Sequence, residues 1–154
     1  MLTTFEFLKF NDLSNNQLYE LLKLRIEVFV VEQNCPYQDL DGKDLKEDTV
    51  HVLGYDEEGE LVAYCRILAP GVSYSHSASI GRVITSAKGR GKGVGRELMK
   101  KAVQYSESVK LYPLLTISAQ SHLQAFYEEI GFRRTAKKEY LEDNIPHREM
   151  ERKS

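Results

Sequence analysis

The sequence predicts an α+β fold, an α/β sandwich in which one mixed central sheet is flanked by helices. Three observations point there. Segments of period 2 and period 3.6 follow one another in the order β-α-ββ-β-α-β-α-ββ. A Gly-rich segment stands between a strand and a helix in the second half. No repeat, low-complexity tract or linker divides the 154 residues, so one domain over 1–154 is expected.

Residues 4–10 (TFEFLKF) are rich in β-formers and predict the first strand. Ser14 followed by Gln17 is a capping-box signal. Leu18, Leu21, Leu22, Val28 and Phe29 then keep a helical period to about residue 31, with Arg25 the one polar intruder. Pro36, Gly42 and the clustered aspartates make 34–48 a loop. Segments 50–56 and 61–68 form a hairpin about Glu57-Glu58-Gly59, and 69–77 is a further loop. Segment 78–85 (ASIGRVIT) is a strand that runs into the Gly-rich stretch. The next helix starts near Gly93, with Val94, Leu98, Ala102 and Tyr105 on one stripe. Residues 114–119 predict a buried strand. Ser121 and Gln124 suggest a second capping box, and Leu123, Phe126, Tyr127 and Ile130 the apolar face of a helix ending at Gly131. Segments 132–140 and 147–152 are expected to close the sheet as a strand pair across the loop holding Pro146.

Composition narrows the function. Apolar residues make up 42% and charged residues 29%, which fits a soluble globular chain and not a disordered one. The longest apolar runs, such as 28–31, cannot cross a bilayer, so no membrane is expected. Residues 1–10 carry Glu6 and no basic leader, and Cys35 and Cys65 stand outside any CxxC pattern. Both facts point to the cytoplasm and away from a disulfide scaffold or a metal site. A net charge of −2 gives no reason to expect nucleic acid. Charge is unevenly placed, however. Six basic residues face one acid between Lys88 and Lys101, and ten acids face two lysines between Glu32 and Glu60. The first stretch suits a phosphate-bearing ligand and the second a cationic acceptor, or else a solvated face.

The loop Arg90-Gly91-Lys92-Gly93-Val94-Gly95 carries the sharpest signal. Backbone N–H groups in a helix's first turn lack internal partners and, with the helix dipole, bind anions. Glycines let the backbone approach a pyrophosphate closely. A Walker loop requires Ser or Thr after Gly-Lys, where this chain has Gly93. A Rossmann loop requires a third glycine that is out of place here.

Arg90-x-x-Gly93-x-Gly95 resembles the [Gln/Arg]-x-x-Gly-x-[Gly/Ala] signature of the GNAT acetyltransferases. The segment 125–132 (AFYEEIGF) is similar to that family's second hallmark. The stretch 24–39 (LRIEVFVVEQNCPYQD), with Gly81-Arg82-Val83, 119–124 (AQSHLQ) and Ile145-Pro146-His147, resembles the bacterial ElaA-like group within it. The resemblance implies the GNAT fold and an acetyl-CoA-dependent transfer to an amine of a small molecule or peptide. It places the pyrophosphate on residues 90–95 and the pantetheine arm along strand 78–85, with Val83 or Ile84 offering a backbone N–H to the developing oxyanion. Gln120 stands where many members have an Asn that contacts the pantetheine.

The resemblance also makes Tyr127 the general acid; a phenol ionising near pH ~10 keeps its proton at neutral pH. Strand 78–85 has no acid to serve as base. The candidates elsewhere are Glu32, His51, His122 and His147. Asp39 to Asp44 resembles a calcium loop, but Val50 stands where the twelfth-position Glu belongs, and a solvated turn fits better. Cys35 has no nearby basic residue in sequence and is expected to be an ordinary thiol. Two other readings stand behind the enzyme. One is a non-catalytic acyl-CoA-binding module on the same fold. The other rests on Arg25-x-x-Val28-Phe29-x-x-Glu32, which resembles the start of acyl-homoserine-lactone synthases. A homodimer is left open.

Overall fold

A computed structural model describes all of residues 1–154. One mixed sheet of eight strands holds the chain: β1 (Thr4–Leu8), β2 (Val50–Tyr55), β3 (Leu61–Leu68), β4 (Ala78–Thr85), β5 (Leu114–Gln120), β6 (Arg133–Arg134), β7 (Tyr140–Glu142) and β8 (Ile145–Lys153). The order is β1-β2-β3-β4-β5-β8-β6, with β7 on β8. Every pairing is antiparallel except β4 with β5. Helix α1 (Asn15–Arg25) covers one face; α2 (Val94–Ser108) and α3 (Gln124–Glu129) cover the other. The expected α+β sandwich is therefore the one observed.

The two faces share β3, whose eight residues are all buried. Cys65 and Ile67 pack into the larger core with Leu98, Met99 and Ala102 of α2. Tyr64 points the other way, into a smaller core with Leu21, Leu24 and Val28. Such two-sided burial is why β3 has no polar alternation in sequence.

Helix α1 opens on the expected capping box. Ser14 Oγ accepts from the Gln17 N–H, and Gln17 Oε1 accepts from the Ser14 N–H. It does not run on to residue 31 as an α-helix. After Arg25 the backbone widens to a π-helix over Ile26–Glu32. The wider turn shifts the residues that follow, and Phe29 and Gln33 reach the cleft described below while Val28 stays in the core.

The polar intruder Arg25 is fully buried. Its Nε donates to Asp39 Oδ2 at 2.9 Å and its Nη1 to Asp44 Oδ1 at 2.7 Å. Arg66 donates to Asp41 and Asp44, and Arg82 to Asp39. Three arginines from α1, β3 and β4 thus hold the 39–44 loop down. Asp39 and Asp44 are buried, so this turn is not the solvated one expected. Much of the acidic stretch is neutralised internally, Asp56, Glu58 and Glu60 being paired with Lys88.

A pH dependence follows. Burial pushes the Asp41 and Asp44 carboxyls up, but hydrogen bonds and charge from Arg66 and Arg25 outweigh it, leaving both below their ordinary 3.8. Depressed carboxyls contribute stability that is complete above the unfolded value and is lost as pH falls through the folded one. The melting temperature should therefore hold down to about pH 4 and fall below it. Asp41→Asn should flatten that fall, as a calorimetric pH series would show.

Two other local expectations are corrected. Ser121 does not cap α3. Ser121–Leu123 form a 3-10 turn, α3 starts after Leu123 without a side-chain cap, and Ser121 Oγ is buried without a partner. The Gln124 N–H is satisfied by the Ser121 carbonyl instead, so no hydroxyl is needed there. The closing pair 132–140 with 147–152 is met only in part, by Arg133–Arg134 against Met150 and Glu151 and by Tyr140 against His147. Only Arg133–Arg134 is strand early in that span, and a hairpin of β7 and β8 follows. Asp143 and Asn144 both have positive φ, 51° and 64°, which suits the tight two-residue turn of a hairpin. Pro146 is consequently inside β8, opposite Leu141.

Candidate functional site

The one parallel pairing builds the site. β4 and β5 pair only at Ala78–Leu115 and Ser79–Thr116, although β4 continues to Thr85 and β5 to Gln120. Beyond Ser79 the strands splay apart. β4 is also bulged: its register against β3 shifts between Gly81 and Ile84, and Arg82 takes φ 51°. The splay opens a cleft of about 410 Å³. Its walls are Ile80–Val83 of β4, Thr116–Ser118 and Gln120 of β5, and Leu123 and Tyr127. Phe29, Tyr37 and Lys43 border it on one side and Glu142, Ile145 and His147 on the other.

At the far end of β4 lies the glycine loop. A 3-10 turn, Ala87–Gly89, is capped by Ser86, and α2 begins after Gly93 at φ 77°. The N–H groups of Gly91, Lys92, Gly93, Val94, Gly95 and Arg96 have no protein acceptor. A Cβ at Gly91 or Gly93 would meet nothing within 4 Å, and both have positive φ. Gly95 is small for another reason: a Cβ there would sit 3.2 Å from Thr85 Oγ1, where α2 packs on β4. Six unpaired donors at the start of a 15-residue helix make a concave, positively polarised cradle that side chains do not fill.

The charged members of the predicted loop are placed differently from one another. Lys92 is exposed and ion-paired to no carboxylate, although Asp56, Glu57 and Glu58 share a surface hollow with it. Arg90 is tied down, its Nε to the Thr85 carbonyl at 3.2 Å and its Nη2 to Glu32 at 2.6 Å. Glu32 is thus the partner of Arg90 and does not line the cleft. Val94 offers only its N–H, its side chain being in the core.

Tyr127 lines the cleft and is 7% exposed. Phe126 and Phe132 meet its ring edge-on. Burial, with the Cys65 thiol beside it, pushes its phenol up to about 12, so it keeps its proton at neutral pH. Val83 and Gln120 also reach the cleft. Ile84 does not; it pairs with Tyr64 and buries its side chain under α1.

The histidines separate cleanly. His51 is fully buried, with Nδ1 2.7 Å from Tyr64 Oη and Nε2 3.1 Å from the Asp44 carbonyl. Burial holds it below its ordinary 6.5, so it is a neutral, hydrogen-bonded member of the core and not a base facing the cleft. His122 is exposed, outside the cleft lining. His147 is the histidine that faces the cleft, with Glu142 beside it at 3.3 Å. The sequence named His147 without a partner, because Glu142 is presented by a hairpin that the strand pattern hid.

A strand-lined cleft, with an anion cradle beyond the end of the same strand, suits a long ligand with a diphosphate at one end. A sequence model of the acetyltransferase (GNAT) domain matches residues 11–154. The chain belongs to the GNAT acetyltransferase family. It is 47% identical to the protein ElaA of Escherichia coli over 142 residues, 92% of this chain and 91% of ElaA. Its fold is that of an acyl-CoA N-acyltransferase from Pseudomonas aeruginosa, with a TM-score of 0.90 and 45% identity over 98% of this chain and 99% of that one. The ElaA crystal structure matches with a TM-score of 0.88 over 99% of this chain and 100% of that one. A structure of TofI in a ternary complex with an inhibitor and MTA shares the fold alone, at 20% identity and a TM-score of 0.74 over 99% and 91% of the two chains. The family places the chain among acyltransferases that use an acyl-CoA donor and an acceptor. No helix is long and apolar enough to cross a membrane.

Proposed function

We propose that this chain is an acetyl-CoA-dependent N-acetyltransferase that acetylates an amine of a small molecule or peptide by direct attack within a ternary complex. The observation that carries the reading is that one strand, β4, lines the splayed cleft and then leads into the unpaired N–H groups of residues 91–96. The donor supplies an activated thioester. The cradle holds its pyrophosphate, with Lys92 adding charge, and the open space beside Gly91 and Gly93 fits that group. Val83 and Gln120 border the pantetheine arm. Arg90 and Glu32 serve indirectly, clamping the loop to the end of the π-helix.

Holding the two reactants in line supplies much of the rate. Tyr127, protonated and without a protein partner for its hydroxyl, hands its proton to the departing sulfur. Tyr127→Phe keeps the ring packing, so stability should change little. Turnover should fall by ~10²-fold, the low end for positioned proton transfer, because a thiol ionising near pH ~8.5 leaves fairly well unaided. Acetyl-CoA affinity should stay nearly intact, since the lost interaction belongs to the transition state. Wild-type turnover in the variant would make Tyr127 a packing residue.

The test of the reading itself is a screen of primary amines with purified protein and acetyl-CoA. Acetylated amine and free CoA should form in equal amounts. Tight CoA binding with no turnover on any amine would favour the non-catalytic module. Formation of a lactone from S-adenosylmethionine and an acyl donor would favour the synthase reading.

A further inference from the structure

The acetyl-transfer reading leaves an unassigned step, because an alkylammonium acceptor must lose a proton before its nitrogen can attack. β4 carries no carboxylate, and the acids nearest its bulge, Asp39 and Asp41, are held by arginines. We propose that His147 takes this proton at Nε2, with Glu142 as its positioning residue, so that the β7/β8 hairpin supplies the base.

The geometry fixes which nitrogen is free. His147 Nδ1 lies 2.7 Å from the Ile145 carbonyl, which only accepts, so Nδ1 carries the hydrogen in the neutral ring. Nε2 is then the lone-pair nitrogen. A proton gained there would face the Glu142 carboxylate, whose Oε2 lies 3.3 Å away. Tyr140 stacks on the imidazole at 6.2 Å between centroids, and its hydroxyl lies 2.5 Å from Ser118 Oγ on β5. Ser118 Oγ in turn lies 3.5 Å from Glu142 Oε1. The pair is therefore bound to the splayed strand that carries the other wall of the cleft. Both His147 and Glu142 line that cleft. The imidazole is buried, whereas Glu142 is half exposed and opens a path to solvent.

Other charges surround the pair. On the hairpin these are Asp143 and Arg148, the latter 3.9 Å from Glu139, and before β7 Lys137 lies 4.3 Å from the Tyr140 ring centroid. Glu149 lies along β8, tied to Thr135, and Tyr74 faces Glu142, Glu149 and Tyr140 from the loop before β4. None of them pairs with His147, whose one ion-pair partner is Glu142.

The protons balance as follows. The ammonium gives its first proton to Nε2, and His147 passes it to solvent past Glu142. The neutral nitrogen forms its bond to the thioester carbon, and the carbon–sulfur bond breaks. The sulfur takes the Tyr127 proton, and the second nitrogen proton restores the phenol. The sum is amide, CoA thiol and one released proton.

This proposal rests on the acetyl-transfer reading, and two measurements keep them apart. Long-range ¹⁵N correlation spectra of the histidines, with His147→Asn used for assignment, should show His147 as the Nδ1–H tautomer when neutral. An Nε2–H tautomer would overturn the proposal whatever the enzyme does. Next, kcat/KM is compared across pH for wild type, His147→Asn and Glu142→Gln, with an alkylamine that wild type acetylates. Asn keeps a donor for the Ile145 carbonyl. His147→Asn should lose ~10²-fold at neutral pH, and the loss should shrink as pH rises toward the amine's own ionisation, where no base is needed. Glu142→Gln should lose less, with acetyl-CoA affinity unchanged in both. A loss in His147→Asn that is constant with pH, or a full rate there, overturns the assignment while leaving the acetyl-transfer reading standing. So does a larger loss in Glu142→Gln, which would make the carboxylate the base. A wild type inactive on every amine overturns the acetyl-transfer reading, and the base with it.

Discussion

Gly93→Val should lower acetyl-CoA affinity by ~10²-fold or more while the protein remains folded. The branched side chain would project into the open space beside the cradle, displacing the group that meets the N–H donors. Hydrogen bonds to charged groups are worth about 1.5–3 kcal/mol each, so losing two of them reaches that range. Gly93 also has φ 77°, and a β-branched residue there is strained by about 1–3 kcal/mol. The strain must be separated from the binding effect. Gly59, in the β2/β3 turn, offers the control: its φ is 78°, a Cβ would meet nothing within 4 Å, and it does not line the cleft. Gly59→Val should lose similar stability and no affinity. Calorimetric titration of both variants checks this, and equal affinities would remove the cradle from the account.

The largest stability effect is expected at Arg25. Arg25→Met removes a fully buried guanidinium that serves Asp39, Asp44 and the Asp39 carbonyl together. Arg66 still pairs Asp44 and Arg82 still pairs Asp39, but each is left with fewer partners in a buried site. Breaking such a buried cluster from one side costs about 3–5 kcal/mol. Lysine should not rescue it, because a single ammonium cannot span the fork that reaches both carboxylates. Adding Asp44→Asn to Arg25→Met should recover part of the loss. Chemical denaturation reads each of these, and an Arg25→Met variant within about 1 kcal/mol of wild type would mean that the remaining arginines suffice. The effect extends to the site, since Asp39 also anchors Arg82 at the β4 bulge.

What was legible in the sequence was local. The glycine spacing before α2, the capping box at Ser14 and the Tyr127 helix face each depend on residues within a turn or two of one another. The cluster of Arg25, Arg66 and Arg82 with Asp39, Asp41 and Asp44 joins four separate segments, and no local pattern reveals it. Arg25 therefore looked like an interruption of an apolar stripe, when it is the residue the loop folds around. His51 misled for the same reason: its burial is set by Tyr64 and the Asp44 carbonyl, both distant in sequence. The hairpin that presents Glu142 and His147 did carry a signal, the polar pair Asp143-Asn144, but Pro146 argued for a loop. A proline fits here because the β5 pairing ends at His147, so on that side Pro146 has no partner strand to which an N–H would donate.

The central claim, that the cradle at 91–96 anchors the diphosphate of an acyl-CoA lying in the β4/β5 cleft, is tested most directly by calorimetric comparison of acetyl-CoA with S-acetyl-pantetheine. The two share the acetyl thioester and the arm that would follow β4, and only acetyl-CoA has the pyrophosphate, with the 3′-phosphoadenosine beyond it. Acetyl-CoA should bind at least ~10²-fold more tightly, the cost of leaving the donors of the cradle without their anion. Equal affinity for the two would contradict the account.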